Sequence, residues 1–299
     1  MSGAAGRTVA RAALGLATCV LAVAGVVVAT DGTTFPALDP PTVALAPAAA
    51  SLECAAAGPY EAPARGNIGV PAGVRLCPGA ARTVTAAGAV VDGWEIRGGI
   101  VVDAPDVVVR RSRVIGDGTQ RFGIVTTDRG SVRIEDVTLV GDFPEAAIGG
   151  DRWSAERVEI ARVTGDGAQL GERSRLRNST VRDFVPPPGR EASALVVRGS
   201  GRDVLVEDNE IDVGDGPGSA VLLDPDDAAP ADEGSILIRG NVLGGGRYTV
   251  REDEPGVPSD VRISGNRFRR DAGEAPLRVS RRAVLEDNSY LDGAGLPDW

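Results

Sequence analysis

Six charged residues, Asp128, Asp151, Glu172, Arg198, Asp224 and Glu252, each stand just beyond a short apolar segment and follow one another at intervals of 21 to 28 residues. Carboxylates in such a line suit acid–base hydrolysis of a glycosidic bond, where pairs about 5 Å apart serve a retaining mechanism and wider pairs an inverting one. If each interval is one coil of a stacked structure, neighbours such as Asp151 and Glu172 fall about 5 Å apart. The same spacing also reads as a surface ladder of ion pairs among Glu172, Arg198 and Asp224, which would add little stability. A lyase would need Arg198 as its base, and a guanidinium normally stays protonated.

Other chemistries are excluded by composition. The chain has no His, and all 32 of its basic residues are Arg. It therefore cannot build a His-based triad, a His-ligated metal site, a Lys Schiff base or a P-loop. A net charge of −10 argues against a nucleic-acid partner, and an anionic polysaccharide would need a bridging cation. Calcium is the candidate, with Asp224, Asp226 and Asp227 as ligands in the acidic segment 224–233, although such segments more often serve solubility.

The elements that must position these groups are written as a repeat. An eight-residue register, apolar at positions one, three and eight with a turn pair at five and six, begins at Ala89, Val107, Val132, Trp153, Ser174, Val204, Ile236, Val261 and Ala283. Starts lie 18 to 32 residues apart, too close for intervening helices of a βαβ unit. A second apolar series falls once per repeat, at Ile100–Val102, Gly123–Val125, Ala147–Gly149, Ala168–Leu170, Ala194–Val197, Ala220–Leu223, Tyr248–Val250 and Leu277–Val279. The pattern predicts an all-β, right-handed parallel β-helix of about nine coils stacked at about 4.8 Å. Asn209, Asn241, Asn266 and Asn288 share position six and predict a ladder of stacked amides in a residue type that tolerates left-handed backbone. The pairs Gly116-Asp117, Gly141-Asp142, Gly165-Asp166 and Gly214-Asp215 read as turns.

Ahead of the repeat, Arg7 and Arg11 precede nineteen uncharged residues from Ala12 to Thr30. Residues 1–30 thus read as an export signal or a transmembrane anchor, and 31–51 as an Ala/Pro-rich linker to a domain over 52–299. Both readings place the domain outside the cell, secreted or tethered, with the membrane touched only through the N-terminal segment. Cys54 and Cys77 would then lie in an oxidising compartment and pair.

The opening Cys54/Cys77 segment, Thr85-Ala-Ala-Gly-Ala-Val-Val-Asp-Gly93, the V-x-I-x-D-N coils and the Asn ladder together resemble the secreted right-handed β-helix repeat proteins of the pectate-lyase-like superfamily, over roughly residues 52–292. The resemblance implies polysaccharide as partner and, for an enzyme, a polysaccharide lyase or glycoside hydrolase. For such a groove the line of strand-end charges offers Asp151, Glu172, Arg198 and Asp224 as catalytic candidates, and Asp128 and Glu252, with Arg190 and Glu191 of the insert, as substrate-binding ones. One departure stands out: where relatives carry a polar His-x-Asp segment, this chain reads Arg190-Glu-Ala-Ser-Ala-Leu195, so a site there is either rebuilt from Arg190 and Glu191 or lost. The two longest repeats insert 184–191 and 224–233, loops suited to walling a cleft. The expected function is an extracellular, monomeric β-helix that binds and can cleave polysaccharide. The alternative is a non-catalytic structural or adhesive surface protein.

Overall fold

The computed structural model describes residues 51–61, 66–198, 201–224, 235–253 and 260–297. The signal or anchor, most of the linker, Asp226 and Asp227 lie outside the described residues. Within them the chain is all-β apart from one short 3-10 turn at Ala55–Ala57, and every ladder between named strands is parallel. The arrangement is a parallel solenoid of the β-helix kind.

Each register copy is cut in two by its turn. Residues around positions one to four form one strand of a ten-stranded sheet that runs from Ser51–Glu53 through Val90–Asp92, Val107–Arg110 and onward to Val284–Glu286. Positions seven and eight enter a second ladder, exemplified by Arg113–Asp117, Thr138–Asp142 and Glu159–Val163. The second apolar series forms a third, with Phe122–Thr126, Ala146–Gly149, Asp166–Leu170, Leu195–Arg198, Val221–Asp224 and Tyr248–Glu252. The long strand Trp94–Val102 pairs into both of these ladders and joins them.

Apolar residues stack in columns because a parallel ladder sets like positions over one another. Position three gives Val91, Val109, Ile134, Ala155, Leu176, Val206, Ile238 and Ile263, all buried. Position eight gives Ile96, Val114, Leu139, Ile160, Val181, Ile211, Leu243 and Phe268, and the third ladder adds Ile100, Ile124, Ile148, Ala168, Leu195, Val221, Val250 and Leu277. Each fully buried Val, Leu or Ile stabilises the fold by about 1.5–3 kcal/mol relative to exposure.

The turn assigns its two residues differently from the expectation. Position five, not the Asn at position six, carries the left-handed backbone. Gly93, Arg111, Asp136, Arg157, Asn178, Asp208, Gly240, Gly265 and Asp287 all have φ between 43° and 78°. Position six points inward as a buried acceptor. Asn241 Oδ1 accepts the Asn209 N–H at 2.9 Å and its Nδ2–H at 3.0 Å, while Asn241 Nδ2 donates to Asn266 Oδ1 at 2.9 Å and to the Val206 carbonyl at 3.0 Å. Asn288 accepts in turn from Asn266. Ser179 extends the column downward, accepting from Val158 N–H and donating its own N–H to Asn209.

Below that point the amide column ends and ion pairs take over. Arg111 clasps Asp92 through Nε and Nη2 at 2.7 Å, and Arg157 clasps the fully buried Asp136 at 2.7 Å. These contacts raise both guanidinium pKa values, since the charged form is the one hydrogen-bonded. The segment closed by the Cys54–Cys77 disulfide lies along this edge. Arg111 donates to the carbonyls of Gly58 and Pro59, Tyr60 donates to Asp136, and the Gly69 N–H donates to the Arg157 carbonyl.

Two outcomes follow for stability. Asn241→Ala strands buried partners on both neighbouring coils and should cost about 3 kcal/mol, whereas Asn288→Ala, at the half-buried end of the column, should cost about 1 kcal/mol, read from urea midpoints at constant slope. Reducing the disulfide frees a loop with 23 residues of sequence separation. That should lower stability by about 3 kcal/mol by loop entropy.

Candidate functional site

The outward face of the third ladder is laid down by the same alternation that builds the core. Between the inward Leu195 and Val197, Val196 points to the opposite face of the sheet, where it is covered and buried, and it stacks with Gln169, Leu222 and Arg251 on neighbouring strands. Arg198 stacks on Asp224 one row along, and the two pair at 3.0 Å. Over this face lies a cleft of about 290 Å3, lined by Glu145, Gly165, Asp166, Arg190, Glu191, Ser193, Val196, Arg198, Leu222, Arg251 and Asp253.

Its wall is the inserted segment after Phe184. The Val185 N–H bonds the Val163 carbonyl at 2.9 Å, and the Arg190 guanidinium donates to the Pro144 carbonyl. The insert is thereby tied back over the Gly165-Asp166 turn. Gly165 is required by the close pass of the preceding coil, because a Cβ there would sit 2.4 Å from the Phe143 carbonyl oxygen and 2.5 Å from that of Glu145. Asp166 Oδ1 accepts the Ser193 N–H at 3.0 Å and Oδ2 accepts from Gln169 at 3.4 Å. Ser193 Oγ in turn accepts the Ser219 N–H.

Burial pushes the Asp166 carboxyl above the usual aspartate range. The Ser193 amide, Gln169 and the Arg198 and Arg190 guanidiniums pull the other way without cancelling it. Glu191 pairs with Arg251 at 2.9 Å, and Arg251 also pairs with Asp253 at 3.0 Å. The cleft thus sets a carboxyl whose pKa is raised by burial beside carboxylates held in ion pairs, an arrangement suited to acid–base chemistry on a bound hydroxylated ligand.

Of the sequence-predicted residues, this cleft gathers Arg190, Glu191 and Arg198. Asp224 borders it only through its pair with Arg198. The others are placed apart. Asp151 is a turn acceptor, with Oδ1 taking the Glu172 N–H at 2.8 Å and its carbonyl taking the Thr126 hydroxyl at 2.6 Å. Glu172 stands in the corresponding turn one coil on, stacked against that of Asp151, with its carbonyl accepting the Arg152 N–H at 2.8 Å. Glu252 lies within its strand, buried, accepting the Ser280 N–H at 2.6 Å. Asp128 is exposed, and its carbonyl accepts from Arg152. Among the described residues no three Asp, Glu or Cys side chains converge to hold a metal ion, and no helix is long and apolar enough to cross a membrane.

Asp166, Ser193, Arg251 and Asp253 escape a reading by motif. Of the four Gly-Asp turns, Asp117, Asp142 and Asp215 are exposed and Asp166 alone is half-buried. The available signal was the long insert one repeat later, since a loop that must go somewhere can fold over the preceding turn.

A wider groove of about 680 Å3 runs along the turn edge past Asn67, Ile68, Asn178, Thr180, Asp208 and Arg267. Two of its three carboxylates, Glu156 and Glu210, are paired with Arg157 and Arg269, the third, Asp208, stands at a left-handed turn position, and Asn209 on its wall belongs to the amide column.

No family model, no curated protein and no solved structure matches the chain.

The Asp166 shift has a sign. With its folded pKa above the unfolded value, the folded state holds the extra proton, so the stability it contributes is full below the ordinary value of 3.8 and is lost as pH rises through the folded value. Asp166→Asn keeps the acceptor for Ser193 and cannot ionise. It should melt higher than the parent at pH 7, with the gap closing as pH falls below 4 in a calorimetric pH series.

Proposed function

We propose that the chain is an exported, right-handed parallel β-helix of about nine coils that binds polysaccharide in the cleft over Asp166 and hydrolyses it there. Asp166 gives its proton to the leaving oxygen as the glycosidic C–O bond breaks, and the Arg251-paired Glu191 takes a proton from the water whose oxygen bonds the anomeric carbon. The observation that carries the reading is the insert 184–191 folded over a half-buried acid at a polar cleft whose floor is rigid sheet. Hydrolysis is favoured over lyase chemistry because each cleft guanidinium is already donating: Arg198 to Asp224, Arg251 to Glu191, and Arg190 to the Pro144 carbonyl. A protonated, engaged guanidinium is a poor base. The export half of the reading rests on the apolar stretch 12–30 and on the disulfide, which persists in oxidising compartments. The likeness to pectate-lyase-like β-helices supports a glycan as the ligand.

A second reading, a non-catalytic structural or adhesive rod, is favoured by one observation. Asp151 and Glu252, which stand in the line of strand-end charges, are spent on backbone amides.

The test is release of reducing ends from a panel of polysaccharides by the purified full chain, with unsaturated products followed in parallel. The expected result is reducing ends without unsaturation, lowered about 100-fold or more by Asp166→Asn and unchanged by Asp151→Asn. Calcium-dependent unsaturated ends would replace hydrolysis by elimination. A folded sample that turns over nothing on the panel would leave the structural rod as the function.

A further inference from the structure

Resting on the reading of this cleft as a glycan site, its charge arithmetic selects among glycans. Four carboxylates line it, Glu145, Asp166, Glu191 and Asp253, against three guanidiniums, Arg190, Arg198 and Arg251. Arg198 is held by Asp224 and Arg251 by both Glu191 and Asp253, while Glu145 is paired with Arg121 at 3.0 Å on the rim. That leaves Arg190, the cleft guanidinium with no carboxylate partner among the described residues, and its field falls on Asp166. A carboxylated sugar entering here would meet two guanidiniums already neutralised by carboxylates and a third, Arg190, already donating to the Pro144 carbonyl, within a lining that carries one more carboxylate than guanidinium.

One further observation points the same way. The chain as a whole carries −10, which repels a polyanion at a distance.

Against this, the same groups fit hydroxyls well. Ion-paired carboxylates accept from hydroxyls, the spare N–H groups of Arg190 and Arg198 donate to them, and the partly exposed Leu222 on the outward face offers a small apolar patch to a ring face. The volume of about 290 Å3 is at the small end for ligand sites, on the scale of a single sugar residue. We propose that the cleft takes a neutral, polyhydroxylated sugar residue and rejects uronates and other anionic sugars.

Affinity electrophoresis of the full chain decides this, in native gels cast with neutral polysaccharides (glucan, galactan, mannan, xylan) or with uronates (polygalacturonate, alginate), each with calcium and with chelator. The expected result is retardation by at least one neutral polymer and by no uronate under any condition. Glu191→Gln and Arg190→Ala, both at exposed positions, should each weaken the neutral retardation about 10-fold. Retardation by a uronate overturns the proposal while leaving the cleft a glycan site. Neutral retardation that neither variant weakens also overturns it, by placing binding elsewhere. No retardation in any gel removes the carbohydrate reading and this inference together.

Discussion

Everything in this fold hangs on one repeated turn. A parallel ladder persists only if each coil brings the chain back into the same register, and a one-residue slip would send every core side chain to the solvent face. The turn fixes that register with two adjacent residues. The first takes a left-handed backbone, and the second offers or receives a buried hydrogen bond between coils. In the C-terminal half the second residue is Asn, whose amide can accept from the coil below and donate to the coil above at once. The first is then free to be Asp or Gly, as at Asp208, Gly240, Gly265 and Asp287.

The N-terminal half solves the same problem with other residues. Arg111 and Arg157 occupy left-handed positions that arginine does not favour, at a cost that must be offset locally. Buried pairs with Asp92 and Asp136 do so, and the carbonyls of Gly58 and Pro59 in the disulfide-closed segment take further N–H groups of Arg111. This explains why the disulfide and the amide column occupy different stretches of one edge. Each supports the turns that the other does not reach.

The core was legible because it is local and periodic: positions one, three and eight of the register, with the second series, name nearly every buried column. The disulfide was legible from two cysteines and a compartment. The turn was half legible. Asn at position six advertised a ladder, but residue preference alone suggested that the Asn itself was left-handed, when the Asp or Gly before it carries that strain. The site was least legible. A line of charges beyond successive strands is a valid pattern, yet whether such a charge faces a ligand or caps a backbone amide depends on single hydrogen bonds, as Asp151 and Glu252 illustrate. Asp166 carries no motif beyond a turn dipeptide. It acquires its environment from an insert about twenty residues downstream, and the folding of an irregular loop across a sheet leaves no period to read.

The central claim is that this insert and the outward face beneath it form the ligand surface. Hydrogen–deuterium exchange of the full chain, with and without a saturating neutral oligosaccharide, tests it most directly. The account predicts slowed exchange confined to peptides spanning 185–198, including the Ser193 amide that reports on Asp166. Protection that appears instead along the turn-edge groove, over Asn178, Thr180, Asp208 and Arg267, or nowhere on the third ladder, would contradict it.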